Sequence, residues 1–443
     1  MRVPSQDNTE YNIVVIGKTN YFLYTPLLPQ VTVGTISPRS IAQPTRHNTR
    51  YKTREVQVLE AEATKINAAD KTVEFEDVSN IYGLNNGSVT TIPYDYLVVA
   101  VGSQNQTFGM KGVDKNAFFL KELADATKIR SRIMDLIEKA SLVGQSEEEI
   151  DRLLHLVVVG GGPTGVEFAG ECHDFIQHDL SKWYPQVANR VRVTLVEALP
   201  TILPMFSKNL VEYTENTFKS NKITIMSKHQ VCDLDEEKVT MKNPSGEKIE
   251  VPCGMLVWAA GNTSRPISRD LQSQLKDKQT DRRGLKVDDH LRLLGAEDSI
   301  FAIGDATATA WAPTAQAASQ QGKYLAKIFE QLANADKLDL QAIEAKKNGA
   351  DASEVARLER RAARAARIKP FEFVNNGVMA SIGNDRAIAD VPIGGATVSA
   401  KGTATYLLWR SAYLSMLFSL RNRTQVALNW VQVWTYGRDL SRE

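Results

Sequence analysis

Several short stretches are apolar at nearly every position: 11–16, 96–100, 156–159, 193–196 and 300–303. Strands buried on both faces of a parallel sheet read this way. Between them, 121–140 and 163–180 carry apolar residues at helical spacing. Strands alternating with helices predict an α/β, doubly wound architecture. Two stretches break the pattern. Residues 336–367 are rich in Ala, Lys, Arg and Glu and poor in large apolar groups. They predict a charged helix or helical hairpin on the surface, for which a solvated face is the simplest role and a partner arm the alternative. From about 403 the chain turns rich in Trp, Tyr, Leu and Arg. Tyr406, Trp409, Tyr413, Leu417 and Leu420 follow one another at helical spacing, with Arg421 and Arg423 beyond them. A second stretch holds Val426, Trp430, Val433 and Trp434, with Arg438 after it. Such a stripe edged by arginine suits an interfacial helix, or a helix packed on the body or in a dimer seam.

Composition narrows the possibilities. The 443 residues allow two or three domains. Lys+Arg minus Asp+Glu is 53 − 52 = +1, so no basic field for nucleic acid exists. Cys172, Cys232 and Cys253 form no CxxC, and the six histidines no HExxH, so no metal site is expected. No apolar run reaches bilayer-spanning length, which argues against a transporter. The first ten residues read as neither a secretory signal nor a convincing transit peptide.

The chemistry starts at Gly160-Gly-Gly162-Pro-Thr-Gly165, which follows a predicted strand and opens a predicted helix. That context turns a weak motif into a dinucleotide fingerprint. Gly160 serves the tight turn, Gly162 the approach of a pyrophosphate, and Gly165 close helix–strand packing. The helix N-terminus favours the phosphates. Glu197 ends the next strand, where it can accept from both ribose hydroxyls and repel a 2′-phosphate, favouring NAD(H). It lies 197 − 165 = 32 residues past the last glycine, which predicts an extended helix and loop around 177–190. A second signature is Gly304-Asp305 at the end of 300–303. Asp305 could bind a ribityl hydroxyl or cap a helix near Pro313. Gly102 and Gly261 each end a strand-then-Ala-x-Gly segment at a predicted domain crossing, which favours the nucleotide reading.

The combination resembles the flavoproteins built from two dinucleotide-binding domains, and more closely the type II (alternative) NADH:quinone oxidoreductases of fungal mitochondria. The resemblance rests on 20–29 (NYFLYTPLLP), the 160–171 fingerprint, Gly304-Asp305, 312–321 (APTAQAASQQ), and the tail from Trp409 through Gly437-Arg438 to Arg442. It implies two Rossmann-like domains with a C-terminal amphipathic membrane-anchoring region. The FAD domain would span 1–116 and 263–402 with the 336–367 insert, the NADH domain 117–262, and the membrane region 403–443. Asp305 with Gly304 would hold FAD and Gly102 would lie near the flavin; Gly160, Gly162, Gly165 and Glu197 would hold NADH, and Gly261 would line the nicotinamide–flavin contact. Glu167, in the first turn of the fingerprint helix, would tune hydride or proton transfer; a dipole-stabilised acid is its plainer reading. Gln316 and Gln320, on one helix face, would meet flavin and quinone. Ubiquinone, the membrane surface and a second copy are the implied partners. The implied location is peripheral, at the mitochondrial inner membrane.

The chain departs from the family in one respect. It carries one glycine fingerprint instead of two, and begins at what reads as the second strand of the first Rossmann unit. That predicts weak FAD binding beside a competent NADH half. Two other readings remain: a flavin reductase serving a soluble electron carrier, for which the tail is superfluous, and a non-catalytic NADH-binding homologue.

Overall fold

The computed structural model describes residues 10–78 and 88–441, so Arg442 of the tail motif lies outside the described residues. Two compact units emerge. One comprises residues 1–20, 45–104 and 262–374, the other 21–44, 105–261 and 375–443.

In the first unit, strand Ile13–Gly17 pairs in parallel with Val56–Asn67, which continues through an antiparallel meander with Thr72–Asp77 and Val89–Pro93. Ile300–Ala302 lies parallel to Leu97–Val99 in a separate two-stranded sheet. Ile16, Ile66, Val99 and Ile300 nevertheless share one apolar cluster. Val14 and Val98 are among its neighbours in sequence that stay exposed. The charged insert is a hairpin. Its first arm is the far end of a long helix, Ala315–Lys347, and its second is Ala352–Ala365. Leu338, Ala342, Leu358 and Ala362 zip the arms together, small residues allowing close approach. The insert thus extends the helix bearing Gln316 and does not interrupt a surface loop.

The second unit holds a five-stranded parallel sheet in the order Ile223–Ser227, Arg192–Glu197, His155–Val159, Met255–Trp258, Phe118–Phe119. His155–Val159 is central and buried at every position, as its unbroken apolar run requires. Leu123–Ala140 and Pro163–Phe175 pack on this sheet. The latter helix runs on through a π-helical turn, Ile176–Leu180, and two short helices before Arg192. This is the expected extension before Glu197. An antiparallel sheet, Val378–Ser381, Ala387–Ile393 and Ala396–Gly402, then carries the tail helices Thr403–Met416 and Leu420–Tyr436.

The unit boundaries differ from the expected domains. Residues 21–44, 375–402 and the tail all belong with the parallel sheet of the second unit. Burial explains this. Leu27, Leu28, Val31 and Ile36 join Trp409, Leu417, Val426 and Trp430 in that unit's core.

The tail stripe is the clearest correction. Tyr406, Trp409 and Leu417 are buried and Tyr413 packs against the core; of the five, only Leu420 is exposed. Helical periodicity marks the face that leaves water but not what covers it. Here the unit's own core covers it. Arg438 is buried as well, and Arg423 donates to the carbonyls of Leu417 and Ser415. Leu407, Leu408, Met416, Phe418, Leu428, Val431 and Trp434 are exposed instead, Trp434 being 87% accessible. No helix among the described residues is long and apolar enough to cross a membrane.

Candidate functional site

The fingerprint turn lies at the carboxyl end of His155–Val159, between strands Arg192–Glu197 and Met255–Trp258. This is a topological switch point, where open α/β sheets bind ligands. Each glycine meets a different constraint. Gly160 has φ +115°, and a Cβ there would sit 2.7 Å from the Ala259 carbonyl. A Cβ on Gly165 would sit 2.0 Å from the Gly160 carbonyl. Gly162 faces open space, with nothing within 4 Å. The turn is therefore closed by two glycines and left open at the third.

Glu197 is anchored over this turn. Its Oε2 accepts from the Gly161 amide at 2.6 Å and its Oε1 from the Leu199 amide at 2.7 Å. Each oxygen keeps a further lone pair for a ribose hydroxyl. Gly261, at φ +72°, closes against Phe108 and Gln106, and its carbonyl accepts from the Gln106 amide at 3.2 Å.

Glu167 lies in the second turn of the helix, not the first, so the dipole at the N-terminus does not account for it. It is buried, and the Ser381 amide donates to its Oε1 at 3.2 Å. Burial pushes its pKa up to about 8, assisted by the negative charge of Glu171; the Ser381 amide and Trp409 indole pull the other way. Glu167 therefore carries its proton at neutral pH. Asp174 on the same helix is raised to about 7, first by burial and then by Glu171, although the Asn384 amide donates to it at 2.7 Å. Both folded-state values lie above the ordinary ones, 4.5 for Glu and 3.8 for Asp. The folded chain thus holds extra protons in that window, and this contribution to stability is complete below the ordinary values. It is lost as pH rises through about 7 and about 8. Chemical denaturation should show the unit weakening across this range, and Glu167→Gln should flatten the profile.

In the first unit, Gly102 and Gly304 follow the paired strands Leu97–Val99 and Ile300–Ala302, at φ +67° and +66°. The Ser103 hydroxyl donates to Asp305 Oδ2 at 3.2 Å. Asp305 caps no helix: Thr314 does, its hydroxyl accepting from the Ala317 amide. The sequence reading missed Gln321. Its Oε1 accepts from the Gly304 amide at 2.7 Å, while its buried Nε2 has no hydrogen-bond partner. An orphaned buried donor beside Gly304 and Asp305 is what a polar ligand would satisfy. These residues fit the hydroxyl-rich part of a flavin nucleotide.

Gln320 and Gln316 part company. The Gln320 amide is committed in both directions to the backbone of Val374, donating at 2.8 Å and accepting at 2.9 Å. It pins a chain segment, a use that helical spacing could not reveal. Gln316 lies half-buried in the first turn of its helix. The three cysteines are free, and burial raises the Cys172 and Cys253 thiols.

Comparison with known proteins settles the lineage. Residues 4–322 match the pyridine nucleotide-disulphide oxidoreductase model, and 376–439 match the NDH2 C-terminal domain. The external alternative NADH-ubiquinone oxidoreductase of Yarrowia lipolytica is 45% identical over 99% of this chain and 78% of its own length. The chain belongs to the type II NADH:ubiquinone oxidoreductase (NDH2) family. External NADH-ubiquinone oxidoreductase 2 of Saccharomyces cerevisiae is 42% identical over 98% of this chain and 78% of its own. Among solved structures, NDH2 from Plasmodium falciparum in complex with NADH superposes with a TM-score of 0.80 at 26% identity, covering 97% of this chain and 95% of the other. The NDH2 assignment thus spans both units and the tail.

Proposed function

We propose that this NDH2 chain binds NADH on the 160–165 turn with Glu197, and that Glu167 is its proton donor. The enzyme transfers electrons from NADH to ubiquinone without pumping protons, using FAD, as a peripheral protein of the mitochondrial inner membrane. FAD, when bound, accepts a hydride and releases two electrons. Asp305, Gly304, Gly102 and Gln321 would hold it. The anchored carboxylate of Glu197 carries the nucleotide assignment, because it takes ribose hydroxyls and opposes a 2′-phosphate. Gly261 would line the nicotinamide side, and Gln316, in the first turn of its helix, would meet a quinone carbonyl. Ubiquinol needs two protons and NADH brings one, so a second must be supplied. A carboxyl that is protonated at neutral pH can give it and refill from water.

The test follows turnover of a short-chain ubiquinone analogue with NADH or NADPH. NADH should support it and NADPH should not. Glu197→Gln should raise kcat/KM for NADPH about tenfold by removing one charge repulsion of about 1.4 kcal/mol. It should weaken NADH as well, since the new amide cannot accept from both the Gly161 and Leu199 backbones. Unchanged discrimination would refute the role of Glu197.

The exposed tail face around Leu428, Val431 and Trp434 is proposed to rest on lipid, as interfacial apolar surfaces do. The chain should float with vesicles of mitochondrial phospholipid, and Trp434→Ser with Leu428→Ser should leave most of it in the aqueous phase. The family resemblance also implies a homodimer. If the same variant turned a lipid-free dimer into a monomer yet still floated, this face would belong to a second copy.

A further inference from the structure

The fingerprint helix buries three acids along one face. Glu167, Glu171 and Asp174 follow at i, i+4 and i+7, each less than a tenth accessible. Like charges so placed destabilise one another, and burial makes each unpaired carboxylate costly. Buried guanidinium comes to this face from Arg438, near the end of the described chain. Arg438 pairs with Glu171 at 3.6 Å and with Asp179 at 2.7 Å, and its Nε donates to the Thr35 hydroxyl at 2.9 Å. Its backbone amide also donates to Asp179 at 2.9 Å. Asp179 occupies the π-helical turn that follows the fingerprint helix. Glu171 receives two hydrogen bonds, from Gln30 at 2.8 Å and Thr35 at 2.9 Å. Gln30 in turn accepts from the Trp430 indole at 2.9 Å. Glu171 is thus ion-paired with Arg438 and accepts from Gln30 and Thr35.

Glu167, one turn earlier, is served differently. Around it stand Glu171 on its own helix, the Ser381 amide on the antiparallel sheet, Trp409 and Tyr413 from the first tail helix, and Tyr24 from the 21–44 segment. Burial first raises both tyrosines, so they stay neutral phenols, and a phenol could in any case ionise only to a further negative charge. No guanidinium or ammonium pairs with Glu167 among the described residues. The network is thus unequal: Glu171 has a guanidinium partner and two hydrogen-bond donors, whereas the Ser381 amide serves Glu167.

We propose that Glu171, ion-paired with Arg438, is a positioning residue for Glu167, so that the segment following the last tail helix tunes the proton-donating carboxyl. This rests on the reading of Glu167 as proton donor. It adds that a residue acting through Glu167 shifts the donor's working range.

The experiment compares wild type, Glu171→Gln, Arg438→Lys and Glu167→Gln. The amide introduced by Glu171→Gln keeps an acceptor for Gln30 and leaves Arg438 paired with Asp179, so the charge is removed and the packing spared. Two readouts are taken: the alkaline limb of NADH:ubiquinone turnover, and the protonated-carboxyl infrared band that disappears in Glu167→Gln. In Glu171→Gln both should move to lower pH, and each unit of movement costs about tenfold in alkaline turnover. Arg438→Lys, which keeps the charge, should shift them less. If Glu167→Gln abolishes the limb and Glu171→Gln moves neither readout, the inference is overturned while the role of Glu167 stands. If Glu167→Gln leaves the limb intact, that role fails, and the infrared titration alone decides whether Glu171 controls Glu167.

Discussion

Replacing Glu167 by Gln should lower NADH:ubiquinone turnover by about two orders of magnitude, in the range usual for loss of a general acid. Reduction of the flavin by NADH in a single turnover should proceed at close to the wild-type rate. The separation follows from what the amide retains. It keeps the shape and the acceptor for the Ser381 amide, which bonds Glu167 at 3.2 Å, and loses only the transferable proton. A carboxyl with a pKa of about 8 is already neutral at pH 7, so an amide there adds no electrostatic penalty. The fold should be as stable as wild type or more so above neutrality. If the acid were only structural, Glu167→Gln would turn over quinone at the wild-type rate. Rapid mixing, with the two half-reactions followed separately, decides the point.

The second large effect comes from two neighbouring glycines that should fail differently. In Gly165→Ala the new methyl would lie 2.0 Å from the Gly160 carbonyl, a backbone atom that cannot swing aside. Helix and strand would have to part, at a cost of about 1–3 kcal/mol or more, and NADH binding should be lost with the geometry of the turn. In Gly162→Ala the methyl meets nothing within 4 Å. At φ −75° and ψ 177° the backbone suits any residue. This variant should fold normally, yet its methyl would occupy the open approach to the turn, and KM for NADH should rise about tenfold, equivalent to about 1.4 kcal/mol. Denaturation and NADH titration of both variants check this. Equal affinity in Gly162→Ala and wild type would place the pyrophosphate elsewhere.

The parallel-sheet strands are legible in the sequence because full burial leaves an unbroken apolar run, as in His155–Val159. The fingerprint is legible because its glycines answer to backbone contacts within a few residues. Other features depend on distant partners. The tail stripe announces a buried face, but periodicity is silent on whether lipid or protein covers it; Leu27, Val31 and their neighbours do. Helical spacing sets Gln320 on one face with Gln316, and the family resemblance implies a quinone there, whereas Val374, 54 residues away, engages both ends of its amide. Gln321, next to it, carries no local signal, although it is the one that reaches Gly304. Glu171 and Asp174 do carry a signal that sequence reasoning could use: with Glu167 they place three acids on one face of a helix whose other residues are mostly apolar or small. Arg438 resembles a lipid-facing charge in the sequence because 259 residues separate it from Asp179. A buried ion network of this kind has no local pattern.

The most direct test of the central claim is the visible spectrum of the purified chain, supplied with FAD under nitrogen. It is recorded alone, after NADH, and again after a ubiquinone analogue. The flavin band should bleach on adding NADH and return in full with the quinone, with one quinone reduced per NADH. A band that NADH leaves unchanged, or that bleaches and is not restored by quinone, would contradict electron transfer from NADH to ubiquinone by this chain.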